Sequence, residues 1–128
     1  SYLIENQKHD NFIWTGFRKN VKIFYAISDL AVLPTYYREG GYPRGITEAM
    51  AMGKPIITTD SEHCRETVDN GKNGYHVPVK SSEGLADAIE KIITDESKIK
   101  SFGIYSRKKV LDEFDEEKII SQVISNIF

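Results

Sequence analysis

A single cysteine, Cys64, is all the thiol chemistry available to this chain of 128 residues. An internal disulfide is therefore excluded, and such sparing use fits a reducing, cytoplasmic compartment. Long apolar runs are missing too. None approaches the roughly 20 residues that cross a bilayer, and no secretory signal pattern is visible, although a membrane-peripheral placement of a longer protein stays compatible. There is no basic excess: 17 Lys and Arg face 19 Asp and Glu, for a net charge of −2. That argues against a nucleic-acid platform, which shows a basic surplus or stripe. Metal-ligand spacing is lacking, since His63 and Cys64 are adjacent while His9 and His76 have no potential ligand at a useful interval, so no metal is expected. Cys64 reads as a small packed residue. No GxGxxG follows a strand pattern, which speaks against a nicotinamide dehydrogenase, and Pro55 stands in GKP where a phosphate loop requires Ser or Thr.

What is present describes an ordinary globular domain. Hydrophobic residues make up 40% and charged residues 28%, and the length suits one domain with a sizeable core. The chain opens on Ser1, and SYLIENQK reads like the tail of a helix. A fragment of a larger protein is expected.

Short apolar runs alternate with helical patterns. NFIWTG (11–16) is rich in aromatic and branched residues and closes on Gly16, as a strand does. Asn20 can cap a helix whose apolar residues Val21, Phe24, Tyr25 and Ile27 share a face. DLAVLPT (29–35) is a continuous apolar run, expected as a strand covered on both sides. Pro43 suits the first turn of a helix that runs to about Met52 and stops at Gly53. KPIITTD (54–60) is the next buried strand, CRETV a helical turn, and NGKNG turn chemistry leading into the short strand YHVPV. Beyond residue 81 the pattern is helical. Ser81 or Ser82 caps a segment with Leu85, Ile89, Ile92 and Ile93 on one face, and a second segment carries Ile99, Phe102, Val110, Leu111 and Phe114. A third begins at Asp115, with the stripe Ile119, Ile120, Val123, Ile124 and Ile127. The charges from Arg107 to Lys118 are expected on one wet helix face. Strand–helix alternation predicts an α/β fold: a Rossmann-like parallel sheet with helices on both faces and a helical C-terminal segment.

In such sheets ligands bind beyond the carboxyl ends of the strands. REGGYPRGITEAMAMGKP (38–55) falls there, just after the DLAVLPT strand. Gly40 and Gly41 permit positive φ and close approach of a ligand to the backbone. The helix beginning near Pro43 or Arg44 turns free N–H groups toward that ligand, an arrangement that attracts phosphate. Glu39 and Glu48 repel phosphate, but ionised carboxylates accept hydrogen bonds from sugar hydroxyls. Phosphates between two sugars describe a nucleotide sugar. On residue type alone, two glutamates near a helix start read more readily as solvated charges complementing the helix dipole; the neighbouring sequence reverses that reading. Arg44 is either solvated or faces a phosphate.

YYREGGYPRGITEAMAMGKPIITTD, followed by CRETVDNGKNGYHVPV, closely resembles the C-terminal domain of family-four retaining glycosyltransferases. The resemblance runs from NFIWTGF through the terminal helices and is densest between residues 29 and 79. It implies one half of a GT-B fold, in which two Rossmann-like domains face each other across a cleft. By the same resemblance Glu39 is catalytic, contacting the transferred sugar and stabilising positive charge at its anomeric carbon. Glu48 accepts from the ribose hydroxyls, and the turn Gly40, Gly41, Tyr42, Pro43, Arg44 and Gly45 lies against sugar and diphosphate. The loop Gly16, Phe17 and Arg18 holds the base. Eight residues separate Glu39 from Glu48, one more than the family usually has; an insertion in the Gly40–Gly41 turn costs least and keeps the register of Glu48.

The implied donor is a UDP- or GDP-sugar and the acceptor a glycan or lipid-linked molecule, with no cofactor, no metal and no nucleic acid. The family's diphosphate-clamping Arg and Lys are expected before Ser1, and acceptor binding in an N-terminal domain of the same protein. The isolated chain is therefore expected to be nearly inert. Two other readings stand beside the transferase: a non-catalytic nucleotide-sugar-binding module of the same fold, and a nucleotide-sugar epimerase on a similar scaffold.

Overall fold

Ile56 and Ile57 are consecutive and fully buried, yet each belongs to a different hydrophobic cluster. Successive side chains of a strand point to opposite faces, so one strand can feed two cores. The computed structural model, which describes residues 22–34 and 44–113, has that architecture. Helix α1 (Lys22–Ile27) precedes strand β1 (Ala31–Leu33), helix α2 (Arg44–Ala51) and strand β2 (Ile56–Thr59). A 3-10 turn (Arg65–Thr67), strand β3 (Gly74–Val77), helix α3 (Ser82–Ile93) and helix α4 (Glu96–Glu113) follow. Among the described residues the strands form one parallel sheet in the order β1–β2–β3, with Ala31 opposite Ile56 and Ile56 opposite Gly74.

On one face Ile56 packs with Ile46, Ala49 and Met50 of α2, and with Cys64, Val68 and Val110. On the other, Ile57 packs with Val77, with Ala88 and Ile92 of α3, and with Phe102. Helix α4 serves both cores, through Val110 in one and Phe102 in the other. Helices thus cover both faces. Burial of each such isoleucine contributes about 1.5–3 kcal/mol.

Helix α2 ends where the glycine signal puts it. The last four carbonyls of a helix lack intrahelical partners, and here all four find one. Met52 N–H donates to Glu48 O at 3.0 Å, Lys54 N–H to Ala49 O at 3.1 Å, and Gly53 N–H to Met50 O at 2.9 Å. The fourth, Ala51 O, accepts from the Arg107 guanidinium of α4. Gly53 takes φ +74°, which an L side chain resists. Helix α4 crosses this turn at Gly103, where an added Cβ would lie 2.2 Å from Gly53 O.

The NGKNG turn is tied down by Asn73, which is fully buried. Its amide donates to Thr67 O at 3.1 Å and Ser106 Oγ at 3.3 Å, and its Oδ1 accepts from Asp69 N–H at 2.8 Å. Lys109 Nζ lies 3.3 Å from Asp69 Oδ1 and 3.0 Å from Glu113 Oε1.

Several expectations need correction. Strand β1 is at the edge of the described sheet with Val32 exposed, so it is not covered on both sides. Ile27 is 78% exposed and does not share the half-buried face of Phe24 and Tyr25. Ile93 and Leu111 each follow a buried residue and turn about 100° away from it into solvent. Lys109 is buried, so the charges of α4 do not form one wet face. Strand β3 stops before Pro78, which has no N–H for the ladder. The expected strand NFIWTG, the residues SYLIENQK and the helix from Asp115 lie outside the described residues.

Candidate functional site

The head of α2 stands beyond the carboxyl end of β1, where a parallel sheet presents its ligand site. From Ile46 onward every α2 residue is buried, so the helix is fixed against the sheet while Arg44 and Gly45 remain exposed. Glu48 is the third residue of that buried stretch, one turn into the helix. Its side chain is only 11% exposed, against 67% for Arg44. The reading of Glu48 as a solvated charge is therefore wrong. Burying a carboxylate requires a partner, and Arg44 provides one: its Nε–H donates to Glu48 Oε1 at 2.9 Å. Arg44 is thus largely exposed yet paired, through Nε, with the carboxylate one turn on. Thr47 donates its hydroxyl to Arg44 O at 3.1 Å, closing the first turn.

Tyr25 of α1 reaches the same place, its hydroxyl donating to Gly45 O at 3.3 Å. Burial first, and the Glu48 carboxylate second, push the Tyr25 hydroxyl above its ordinary value. Tyr25 was expected only as part of an apolar face; its polar end is what joins α1 to the site. A cavity of about 200 Å³ lies behind this junction, lined by Phe24, Tyr25, Leu33, Gly45, Ile46 and Ile56. A second recess of about 280 Å³ runs past the carboxyl ends of all three strands, along Pro34, Thr59, Val77 and Pro78.

The structure therefore brings Arg44, Gly45 and Glu48 together. Glu39, Gly40, Gly41, Tyr42 and Pro43 lie outside the described residues, as do Gly16, Phe17 and Arg18. The Arg44–Glu48 pair went unread in the sequence, although its i,i+4 spacing was a visible signal. Among the described residues no three His, Cys, Asp or Glu side chains gather as a metal site, and no helix is long and apolar enough to cross a membrane.

The sequence profile of the family described as glycosyl transferases group 1 matches residues 1–109. The chain belongs to that family. Among curated glycosyltransferase relatives, N-acetyl-alpha-D-glucosaminyl L-malate synthase of Bacillus anthracis is 33% identical over 113 residues, covering 88% of this chain and 29% of that protein. Among solved structures, sucrose-phosphate synthase of Thermosynechococcus elongatus superposes with a TM-score of 0.81 at 26% identity, over 99% of this chain and 33% of the other. Anabaena HepE, solved in complex with UDP-glucose, gives 0.78 at 26% identity, over 97% of this chain and 34% of the other. The fold is that of a GT-B glycosyltransferase half. The chain spans about a third of the length of the proteins it matches.

Proposed function

We propose that the whole protein transfers a sugar from a nucleotide diphosphate to a glycan or lipid-linked acceptor with retention of configuration. The observation that carries this reading is the Glu48 carboxylate, nearly sealed in protein at the head of a fixed helix beyond a strand's carboxyl end. A carboxylate there accepts hydrogen bonds and nothing else. Vicinal ribose hydroxyls are donors of the matching kind. Likeness to HepE, whose structure holds UDP-glucose, supports a UDP-sugar as the donor, with a GDP-sugar as the other choice.

The roles then divide by charge. The backbone amides from Gly40 to Gly45 take the diphosphate at the helix head, where the dipole favours anions. Glu39 faces the sugar and stabilises the positive charge that develops at the anomeric carbon. The acceptor oxygen bonds to that carbon as the bond to the leaving phosphate breaks, and the acceptor proton passes to a phosphate oxygen on the same face. Gly16, Phe17 and Arg18 hold the base. An N-terminal domain of the same protein supplies the acceptor surface. No metal is required, because helix amides and basic side chains neutralise the leaving diphosphate.

Calorimetric titration of the whole protein with UDP, GDP and their sugars tests the binding half. Glu48→Gln is expected to weaken nucleotide affinity about 10- to 100-fold, the loss of a hydrogen bond to a charged acceptor. Glu39→Gln is expected to abolish turnover while leaving nucleotide affinity within a few-fold. Tight nucleotide binding without turnover of any donor sugar would instead make the protein a binding module. Interconversion of free donor without acceptor would make it an epimerase.

A further inference from the structure

Glu48 has three side-chain torsions, the last of them broad, so burial alone does not set the plane of its carboxylate. Something must fix that plane if two ligand hydroxyls are to meet it. Among the described residues its ion-pair partner is Arg44, with Nε 2.9 Å from Oε1. Tyr25 is close enough for the Glu48 charge to raise its pKa, but its hydroxyl is spent on Gly45 O. The guanidinium is planar and its N–H donors have fixed directions, so a bond through Nε constrains orientation as well as charge. Arg44 is itself held one helical turn away, its carbonyl bonded by Thr47.

An i,i+4 pair with one partner largely in water adds little to folding. The need to satisfy the buried carboxylate explains why a cation is there, but any cation would meet it; the directional Nε bond of a planar guanidinium asks for a further reason. We propose that Arg44 is a positioning residue: it acts through Glu48, holding the carboxylate in the orientation that receives the donor's ribose hydroxyls. This rests on the ribose role of Glu48 proposed above and adds a residue that sets its affinity. Because the ribose is remote from the reacting bond, loss of Arg44 removes binding felt equally before and during reaction. Donor KM rises and kcat stays.

The test is a double-mutant cycle in the whole protein, titrated with UDP and GDP, using Arg44→Gln, Arg44→Lys, Glu48→Gln and the double change to Gln. Arg44→Gln is expected to weaken nucleotide binding roughly tenfold, within the range of coupling between contacting residues. Arg44→Lys should recover part of that loss, keeping the charge without the planar fork. In the Glu48→Gln background Arg44→Gln should cost nothing more, and donor KM should rise with kcat within about twofold of the parent. Unchanged affinity in Arg44→Gln overturns the proposal. So does an equal loss with and without the Glu48 carboxylate, which would put Arg44 directly on the ligand. If Glu48→Gln itself binds normally, the ribose reading fails first, and the two failures are told apart. Arg44→Lys carries the cycle if Arg44→Gln does not fold.

Discussion

Gly103 carries no chemistry, yet a single added carbon there has a definite consequence. An alanine Cβ would come within 2.2 Å of the Gly53 carbonyl, so α4 would have to lift from the turn that ends α2. Overpacking of that kind costs typically about 1–3 kcal/mol, and urea unfolding of Gly103→Ala should show a loss of that size. The Arg107 bond to Ala51 O spans the same crossing and should weaken with it. Nothing in the sequence around Gly103 separates it from an indifferent helix glycine. Gly53 is different: it follows a helical pattern and precedes Lys-Pro, so its left-handed φ could be anticipated. The same split holds for charges. Lys109 looks like its neighbours in the run from Arg107, and only the approach of Asp69 and its i,i+4 partner Glu113 makes it a buried cation.

At the level of elements, boundaries follow local chemistry and faces do not. Helix α3 begins where Ser81 accepts from Gly84 N–H at 3.1 Å, satisfying a donor left over at the helix start. Ser81→Ala should destabilise the protein by about 1 kcal/mol in equilibrium denaturation, with Asp at the same position restoring most of it. The strand KPIITTD was legible because a run apolar on both faces belongs inside a sheet, and all four β2 residues are buried. DLAVLPT is the more apolar run but lies at the edge of the described sheet, and a strand's rank in a sheet is a property of its neighbours. In α4 the buried stripe is Phe102, Gly103, Ser106, Lys109 and Val110. Three of those five are not apolar, which is why hydrophobic periodicity misplaced Leu111.

Among the described residues two cores share one sheet, and α4 is the clasp that touches both. Its polar side is pinned to the loop before β3. Tyr105 donates its hydroxyl to Asp69 Oδ2 at 2.6 Å, and Lys109 approaches Oδ1. The Tyr105 bond foremost holds the Asp69 carboxyl below its ordinary value; burial opposes it, and the Lys109 bond and charge add to the lowering. A carboxyl depressed in the folded state stabilises the fold above the ordinary aspartate value of about 3.9, and that contribution is lost as pH falls through the folded value. Thermal midpoints measured from neutrality down to strong acid should therefore drop less steeply in Asp69→Asn than in the parent. Tyr105→Phe should move the acid limb in the same direction, because it removes the largest cause. An acid limb identical in all three proteins would detach Asp69 from the stability of the clasp.

Sequence by itself determined the alternation of strands and helices, the parallel α/β class, the stop at Gly53, a serine cap at 81 or 82 and the family. Each of these is written in residues a few positions apart, at the scale where steric and hydrogen-bonding preferences act. It also singled out Glu48 by its place in a motif. The i,i+4 pairing with Arg44 was open to the sequence, but tertiary structure alone decided that this carboxylate is nearly out of water and that Tyr25 of a separate helix completes the junction. Those are consequences of α2 settling onto the sheet beside α1, and the Tyr25 hydroxyl meets a carbonyl 20 positions away only because the chain has folded.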